Sequence, residues 1–136
     1  MERRFIEQVR SFNRAVTLGT GALNDSYLGR GRPLGQARLL FEVGPDGSDI
    51  GSLRERLGLD SGYASRLLKS LETEGLIAIE SDSTDRRRRL VRLTAKGRAE
   101  RAAYDALSDD LAQSLLNALN AGQRDRLVAA LRDRAA

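Results

Sequence analysis

Four consecutive arginines, Arg86 to Arg89, lie between two short apolar segments. Those segments, residues 76–79 and 90–93, predict two short β-strands, and residues 81–89 join them. An arginine run usually forms a solvated face or a disordered tail. In this chain a strand on each side would hold the base of the loop. We therefore expect the guanidinium groups to be presented together, with Arg86, Arg87 and Arg88 as the wing's candidate contacts to phosphates or to a DNA minor groove.

A second group of candidate contact residues lies on a helix predicted just before that hairpin. Apolar residues recur there at the spacing of one helix face and predict a buried stripe. They are Ala64, Leu67, Leu68 and Leu71. The opposite face carries Ser61, Gly62, Tyr63, Ser65, Arg66 and Lys69. Short side chains let such a helix enter the major groove closely, where serine, tyrosine and arginine bond to bases or phosphates and lysine bonds to phosphate.

A shorter amphipathic helix precedes this one. Residues 48–57 carry one apolar face, and Gly58 supplies a turn that lets the two helices cross steeply. Asp60 or Ser61 is placed to cap the second helix. An ordinary helical hairpin explains this periodicity equally well. The predicted strands and their arginine loop favour a helix-turn-helix followed by a wing.

These elements resemble the multiple-antibiotic-resistance-regulator (MarR) family of winged-helix transcription factors over nearly the whole chain. The matching motifs are Leu57-Gly58-Leu59, Ser65-Arg66-Leu67, Leu71-Glu72, Glu74-Gly75-Leu76-Ile77, Asp85-Arg86-Arg87 and Val91-Arg92-Leu93-Thr94, with Gly97 behind them. The resemblance implies that Arg87 enters a minor groove and that Asp85 steadies it. The chain departs from the family at Gly62 and Tyr63, where many members start the recognition helix with a residue such as proline. That departure affects the base preference rather than the fold.

Composition limits the possible chemistry. The chain has no cysteine and no histidine, so disulfides, thiol redox sensing and metal sites built on those residues are excluded. A carboxylate-only metal site stays open, but no cluster is arranged for one. The sequence has no conventional nucleophile–base pair and no glycine-rich phosphate loop. We therefore predict no enzyme activity, no metal and no cofactor.

Length, charge and hydropathy indicate a basic, soluble domain. At 136 residues the chain suffices for one domain with a core, but not for a helix-turn-helix together with a catalytic domain. The formal net charge is +4, and every basic residue except Lys69 and Lys96 is arginine, which suits phosphate and guanine contacts. No apolar run reaches the ~18 residues of a membrane span, and residues 1–4 lack the apolar core of a signal peptide. We expect a cytoplasmic protein without a membrane partner.

The flanking segments predict further helices. Residues 2–18 carry an apolar stripe. Its members are Phe5, Val9, Phe12 and Val16. Thr94 is placed to cap a long helix that runs to about residue 118, and residues 120–123 resemble a capping box before a last helix. The apolar stripes of these three helices have no sheet or large core to cover them, whereas a two-fold dimer that interleaves both termini would bury them.

Between the first helix and the helix-turn-helix, residues 34–43 predict the buried central helix of the lobe. Its apolar positions include Ala37, Leu39, Leu40 and Phe41. The glycines and proline of residues 19–33 disfavour a long helix, although Ala22, Leu23, Tyr27 and Leu28 suit a brief helical turn. In the resembled family this region borders a cleft for small, often aromatic or anionic ligands. Tyr27, Arg30 and Arg32 are candidates to line it, but a flexible connector explains the segment better, and we assign no ligand site.

These patterns predict a mainly α fold with a small β-hairpin wing. We expect residues 1–136 to form one domain, with a winged helix-turn-helix lobe at 34–93 and dimerisation helices at 1–18 and 94–136. A homodimer would place two recognition helices in successive major grooves about 34 Å apart, on double-stranded DNA with a pseudo-palindromic, inverted-repeat operator. The resemblance implies repression that a small-molecule effector relieves. Without cysteine or histidine, such an effector must act by binding alone.

One alternative function belongs to a different class. Winged-helix halves related to this one also occur in longer chains, joined to an acetyltransferase domain. The chain would then be a regulatory or protein-interaction module that acts through protein contacts. Binding to promoter DNA, compared with binding to an unrelated duplex, distinguishes this alternative from a sequence-specific regulator.

Overall fold

The computed structural model describes residues 1–22 and 26–135. The chain divides into two compact units, Met1–Tyr104 and Asp105–Ala136. The elements are α1 (Arg3–Thr20), a 3₁₀ turn (Tyr27–Gly29), α2 (Leu34–Val43), β1 (Ser48–Asp49), α3 (Ile50–Leu57), α4 (Ser61–Thr73), β2 (Ile77–Ser81), β3 (Arg89–Leu93), α5 (Ala95–Asn117) and α6 (Ala121–Ala135). This order confirms the predicted fold class. Of the residues predicted to form a brief helical turn, Leu23 lies outside the described residues.

Aspartates determine where the two central helices begin. Asp49 caps α3 by accepting a hydrogen bond from the backbone N–H of Ser52 at 2.9 Å. Asp60 caps α4 by accepting one from the N–H of Tyr63, also at 2.9 Å. Gly58 ends α3 with φ +64°, a left-handed conformation that glycine adopts without steric cost. The predicted helix-turn-helix is therefore present.

Two further caps were predicted from the sequence and are confirmed. At the start of α5, Oγ1 of Thr94 accepts a hydrogen bond from the N–H of Gly97 at 3.0 Å. Before α6, the N–H of Asn120 donates to Oε1 of Gln123, and the N–H of Gln123 donates to Oδ1 of Asn120, both at 2.9 Å. This reciprocal capping box satisfies backbone donors that a helix start would otherwise leave unpaired.

The three strands form one antiparallel sheet in the order β1-β3-β2. β2 and β3 make the predicted hairpin, with bounds slightly different from those expected. Ser81 pairs with Arg89, so residues 82–88 form the wing loop. β1 was not predicted, because two residues directly before a helix carry no alternating pattern. It pairs with Leu90 and Val91 of β3, which ties the hairpin to the start of α3.

One cluster of apolar side chains forms the core of the first unit. Its buried members are Leu39, Leu40, Val43, Leu53, Leu67, Leu68, Leu71, Leu76, Ile77, Val91 and Leu93. They come from α2, α3, α4 and the hairpin. The stripe predicted for α4 is confirmed, since all its members are buried. Because that stripe faces the core, the opposite face of α4 is exposed.

The prediction that α2 is the buried central helix is correct for most of its apolar residues. Ala37, Leu39, Leu40 and Val43 are buried. It was wrong for Phe41, which is 50% exposed. Successive residues on an α-helix are rotated by ~100°, and this rotation takes Phe41 outside the arc that Leu40 and Val43 define. The guanidinium of Arg101 lies 5.1 Å from the centre of its ring.

The apolar stripe predicted for the first helix is present on α1, and it is uncovered in the single chain. Its members Phe5, Val9, Phe12 and Val16 are roughly half exposed, and no residue of α1 is buried. In the second unit, Leu111, Leu115, Val128 and Leu131 are exposed as well. Exposed apolar stripes of this extent are typical of protein contact surfaces.

Candidate nucleic-acid interface

The exposed face of α4 brings together every residue assigned to the major groove. These residues are Ser61, Gly62, Tyr63, Ser65, Arg66 and Lys69. At Gly62 an added Cβ would meet only Oδ1 of Asp60 at 3.4 Å and Nη1 of Arg66 at 3.5 Å. The arginine therefore curls back toward the first turn of α4. Because Gly62 has no side chain, the helix backbone is accessible between the arginine and the cap.

Tyr63 is held between two helices. Its hydroxyl would lie only 2.6 Å from a Cβ on Gly35, so the end of the side chain lies close to α2 at Gly35. The guanidinium of Arg66 lies 5.9 Å from the centre of the ring, a distance at which cation and ring attract each other. The sequence pattern did not single out Gly35. Only the packing of α2 against α4 shows that a larger residue there would displace the tyrosine.

Two aspartates shape the wing loop. Asp82 accepts hydrogen bonds from the N–H and the hydroxyl of Thr84 at 2.9 and 2.8 Å. These bonds, the backbone one first, hold the pKa of the Asp82 carboxyl below its ordinary value. Asp85 accepts a hydrogen bond from the N–H of Arg87 at 3.0 Å. Side-chain turns of this kind preorganise the loop backbone.

Arg86 and Arg87 follow Asp85 in the wing loop. Both side chains are exposed, and neither forms an ion pair within residues 1–22 and 26–135. Asp85 lies beside Arg87, as the family resemblance implies, but it binds the backbone of Arg87 and not its guanidinium. The aspartate therefore shapes the turn that presents the arginine. Both guanidinium groups remain available to an external anion.

Arg88, also assigned to DNA, pairs with two carboxylates of the chain. Its Nε lies 3.3 Å from Oδ1 of Asp49, and its Nη1 lies 3.6 Å from Oδ2 of Asp82. Asp49 is also the cap of α3. The bond from the N–H of Ser52, and then the bond from Arg88, hold the pKa of the Asp49 carboxyl below its ordinary value. The sequence did not indicate this link, because Asp49 and Arg88 are 39 positions apart.

The residues considered for a ligand cleft contact α5. The rings of Tyr27 and Tyr104 are stacked, with their centres 6.1 Å apart. Arg30 and Arg32 both bind the carboxylate of Glu100. The hydroxyl of Tyr104 is buried without a hydrogen-bond partner among the described residues, and its burial raises its pKa. Both guanidinium groups are thus occupied by a carboxylate of this chain.

The helix-turn-helix and the wing loop coincide with a known sequence family. Residues 30–88, which run from just before α2 to the end of the wing loop, match the model of the MarR family. The helix-turn-helix and wing of this chain are thus similar in sequence to the MarR family. MarR-family proteins are DNA-binding transcriptional regulators, and the matched range includes the exposed face of α4 and the arginines Arg86 and Arg87. The family resemblance seen in the sequence is confirmed.

Solved MarR-like structures are similar to this chain over almost its whole length. FabT of Streptococcus pneumoniae in complex with DNA has a TM-score of 0.80 and 16% identity, covering 98% of this chain and 94% of FabT. The S. aureus MepR–DNA complex has a TM-score of 0.70 and 21% identity, covering 99% and 97%. PcaV, a transcriptional regulator from Streptomyces coelicolor in complex with its natural ligand, has a TM-score of 0.65 and 24% identity, covering 94% and 89%. At these identities the shared property is the fold.

The other comparisons add little to the MarR assignment. No curated protein matches the sequence. Within the described ranges 1–22 and 26–135, no helix is long and apolar enough to cross a membrane. In the same ranges, acidic residues form no group suited to holding a metal ion.

Proposed function

We propose that this chain is a homodimeric, sequence-specific repressor that acts in the cytoplasm. It would act by binding DNA, without catalysing a reaction. The observation that carries the proposal is that one lobe presents two cationic elements to solvent. α4 presents Arg66 and Lys69, and the wing presents Arg86 and Arg87. Arginine and lysine side chains that form no ion pair with a carboxylate of the same chain can bind DNA phosphates and displace their counterions.

α4 acts as the recognition helix in this proposal. Its amino-terminal end enters the major groove, and Ser61, Ser65 and Arg66 reach base edges there, because arginine is bidentate to guanine and hydroxyls bond to any base. Gly62 lets the backbone come close. Tyr63, whose hydroxyl lies against α2, contacts DNA with its exposed edge and holds the guanidinium of Arg66 beside its ring.

The wing supplies the second set of contacts. Arg86 and Arg87 reach the minor groove that flanks the recognition site, where the negative potential of a narrow groove attracts arginine. Asp85 contributes through the turn that it closes at the N–H of Arg87. Lys69 on α4 contacts phosphate. Arg88 lies at the base of the wing, where Asp49 and Asp82 occupy its guanidinium.

Dimerisation explains the apolar residues that the single chain exposes. We propose that residues 1–18 and 94–136 form the dimer interface and that residues 34–93 form the DNA-binding lobe of one MarR-like domain. The exposed stripe of α1 and the exposed leucines of the second unit become buried in this arrangement. Two-fold symmetry then requires an inverted-repeat operator, with half-site centres about 34 Å apart.

A small molecule relieves the repression in this proposal. PcaV has been solved in complex with its natural ligand, and this chain shares its fold. Since the chain has no cysteine or histidine, the ligand changes the DNA affinity by non-covalent binding and by favouring one conformation over another. No residue is assigned to that site.

The decisive test is a salt titration of DNA binding. The full chain is titrated against promoter DNA immediately upstream of its own gene and against an unrelated duplex of equal length. A sequence-specific regulator should bind the promoter about a thousandfold more tightly, with a steep dependence of affinity on salt. Equal weak binding to both duplexes would contradict the proposal and favour a module that reads another protein.

A further inference from the structure

Arg32, which lies two residues before the start of α2, joins three segments of the first unit. Its Nη2 and Nε lie 2.9 and 3.1 Å from Oε2 of Glu100 on α5. Its Nη1 lies 2.5 Å from Oε2 of Glu74 and 3.2 Å from Oε1 of Gln36. The side chains of Arg32 and Glu100 are each only 13% exposed. A nearly buried guanidinium with a carboxylate on two sides fixes geometry far better than a surface ion pair does.

Glu74 is the residue at which α4 ends. Across this end, the N–H of Leu76 donates to the carbonyl of Leu71 at 3.0 Å and closes the last turn. The carbonyl of Glu74 accepts a hydrogen bond from Nζ of Lys96 at 2.9 Å. The carboxylate of Glu74 binds Arg32. The carbonyl and the carboxylate of this residue therefore connect the end of α4 to neighbouring segments.

A second polar contact holds the same end of α4 from α2. Nε2 of Gln36 donates to Oγ of Ser70 at 3.1 Å, and the amide oxygen of Gln36 accepts a hydrogen bond from Nη1 of Arg32. Arg30 also binds Glu100, so two arginines face two carboxylates. The network has no net charge, and the guanidinium groups of Arg30 and Arg32 are both paired with carboxylates within it.

The network lies at the Glu74 end of α4, whereas Ser61, Ser65 and Arg66, the residues assigned to base edges, lie in the first half of the helix. A helix of 13 residues is ~20 Å long. A tilt of ~3° about its Glu74 end would therefore move its Ser61 end by ~1 Å. Hydrogen bonds to base edges need placement within about 0.5 Å, whereas attraction to phosphates tolerates larger displacements. The orientation of α4 thus matters for sequence discrimination more than for general DNA affinity.

We propose that Arg32 is a positioning residue for the recognition helix, an inference that rests on the proposed DNA-binding function. By joining Glu74 to Glu100, Arg32 sets the angle of α4 relative to α5, and through that angle it sets how well the protein discriminates between DNA sequences. It does so without touching DNA.

The test compares Arg32→Gln with Arg38→Gln in the full chain. Arg38 is also on the first unit, but its side chain is 60% exposed and, among the described residues, pairs only with Glu42, one turn further along α2. Dissociation constants are measured for the operator and for an unrelated duplex at several salt concentrations. Arg32→Gln should weaken operator binding about tenfold, the effect of one mismatched base pair. Its binding to the unrelated duplex and its salt slope should match those of Arg38→Gln.

Other results would overturn the inference. A salt slope lower by about one in Arg32→Gln only would mean that Arg32 itself contacts phosphate. Equal losses on the two duplexes, or no loss, would mean that α4 does not depend on it. If Arg32→Gln fails to fold, Glu74→Gln replaces it, because that variant removes a single arm of the network and keeps Arg32 bound to Glu100.

Amide hydrogen exchange separates this inference from the proposed function. Without DNA, Arg32→Gln should exchange faster than Arg38→Gln at amides near the Glu74 end of α4, because local opening tracks lost contacts. If the wild type does not distinguish operator from unrelated DNA, the proposed function is wrong. The exchange experiment then still tests whether Arg32 holds the Glu74 end of α4. Unchanged exchange would then overturn it.

Discussion

The guanidinium of Arg88 in the wing pairs with the carboxylate of Asp49 at the start of α3, at 3.3 Å. The same carboxylate also caps α3 by accepting a hydrogen bond from the N–H of Ser52. Together with the pairing of β1 and β3, this contact joins the wing to the helix-turn-helix. It also distinguishes Arg88 from Arg86 and Arg87, which no carboxylate among the described residues engages.

Asp49→Asn tests whether Arg88 orients the wing. Asparagine caps a helix as well as aspartate does, so this substitution removes the ion pair and keeps α3 intact. If the pair orients the wing, Asp49→Asn should weaken operator binding about threefold, the size expected of a partly exposed pair. Arg88→Gln should do the same, and the double variant should be no worse than either single one.

The opposite outcome is equally informative. Asp49→Asn removes a negative charge and leaves Asp82 as the carboxylate that pairs with Arg88 among the described residues. If Arg88 were mainly a phosphate contact, Asp49→Asn should tighten DNA binding, and only Arg88→Gln should weaken it. Titrations at two salt concentrations measure both variants.

Gly97→Ala should destabilise the protein by about 3 kcal/mol, the upper range for forcing an atom into a packed site. A Cβ at this position would lie 1.9 Å from the carbonyl oxygen of Leu76, which also accepts the N–H of Thr94. Urea unfolding at a fixed protein concentration measures the change. Gly122→Ala is the matched control: its Cβ has neighbours no closer than 3.5 Å, so it should be neutral or stabilising by up to about 1 kcal/mol. Equal stability of the two variants would contradict the close contact.

Arg87→Ala and Arg66→Ala should affect DNA binding differently. Loss of the wing arginine should weaken binding to every duplex and lower the salt slope by about one, because one phosphate-directed charge is removed. Loss of Arg66 should relax the preference for operator bases by about 1–3 kcal/mol. A panel of operator variants titrated at moderate salt measures both effects. Unchanged affinity in either variant would show that the corresponding assignment is wrong.

Glu100 should make the stability of the lobe depend on pH. Its bonds from Arg30, and then from Arg32, hold the pKa of its carboxyl below the ordinary value. Such a group stabilises the folded state above its unfolded pKa of about 4.3 and loses that contribution as pH falls through its lower folded pKa. Below about pH 5, the free energy of unfolding of the wild type should therefore fall more steeply than that of Glu100→Gln.

Urea unfolding from pH 7 to pH 3.5, at one protein concentration, measures that difference. Glu55→Gln is the control, because Glu55 is exposed on α3 and makes no ion pair within the described ranges. Parallel curves for the wild type and Glu100→Gln would contradict the proposed linkage, whereas the control should be parallel to the wild type.

Local patterns predicted most of the secondary structure of this chain. The buried stripe of α4 follows from apolar residues three and four positions apart, and the caps at Asp60, Thr94 and Asn120 each act on a backbone group three residues away. Such relationships are complete within one turn of helix, so they can be recognised before the tertiary structure is known. The same reasoning placed the exposed residues of α4 and the loop of the wing.

Contacts between distant segments could be found only in the folded chain. Arg32 and Glu100 are 68 positions apart, Gly97 meets the backbone of Leu76, and β1 pairs across the sheet with β3. Nothing in the immediate neighbours of these residues specifies a partner. An exposed arginine on the wing and an arginine held by a carboxylate have the same local sequence signature. Packing of the apolar core brings the helices and the sheet together, and this packing decides which of the arginines remain available to DNA.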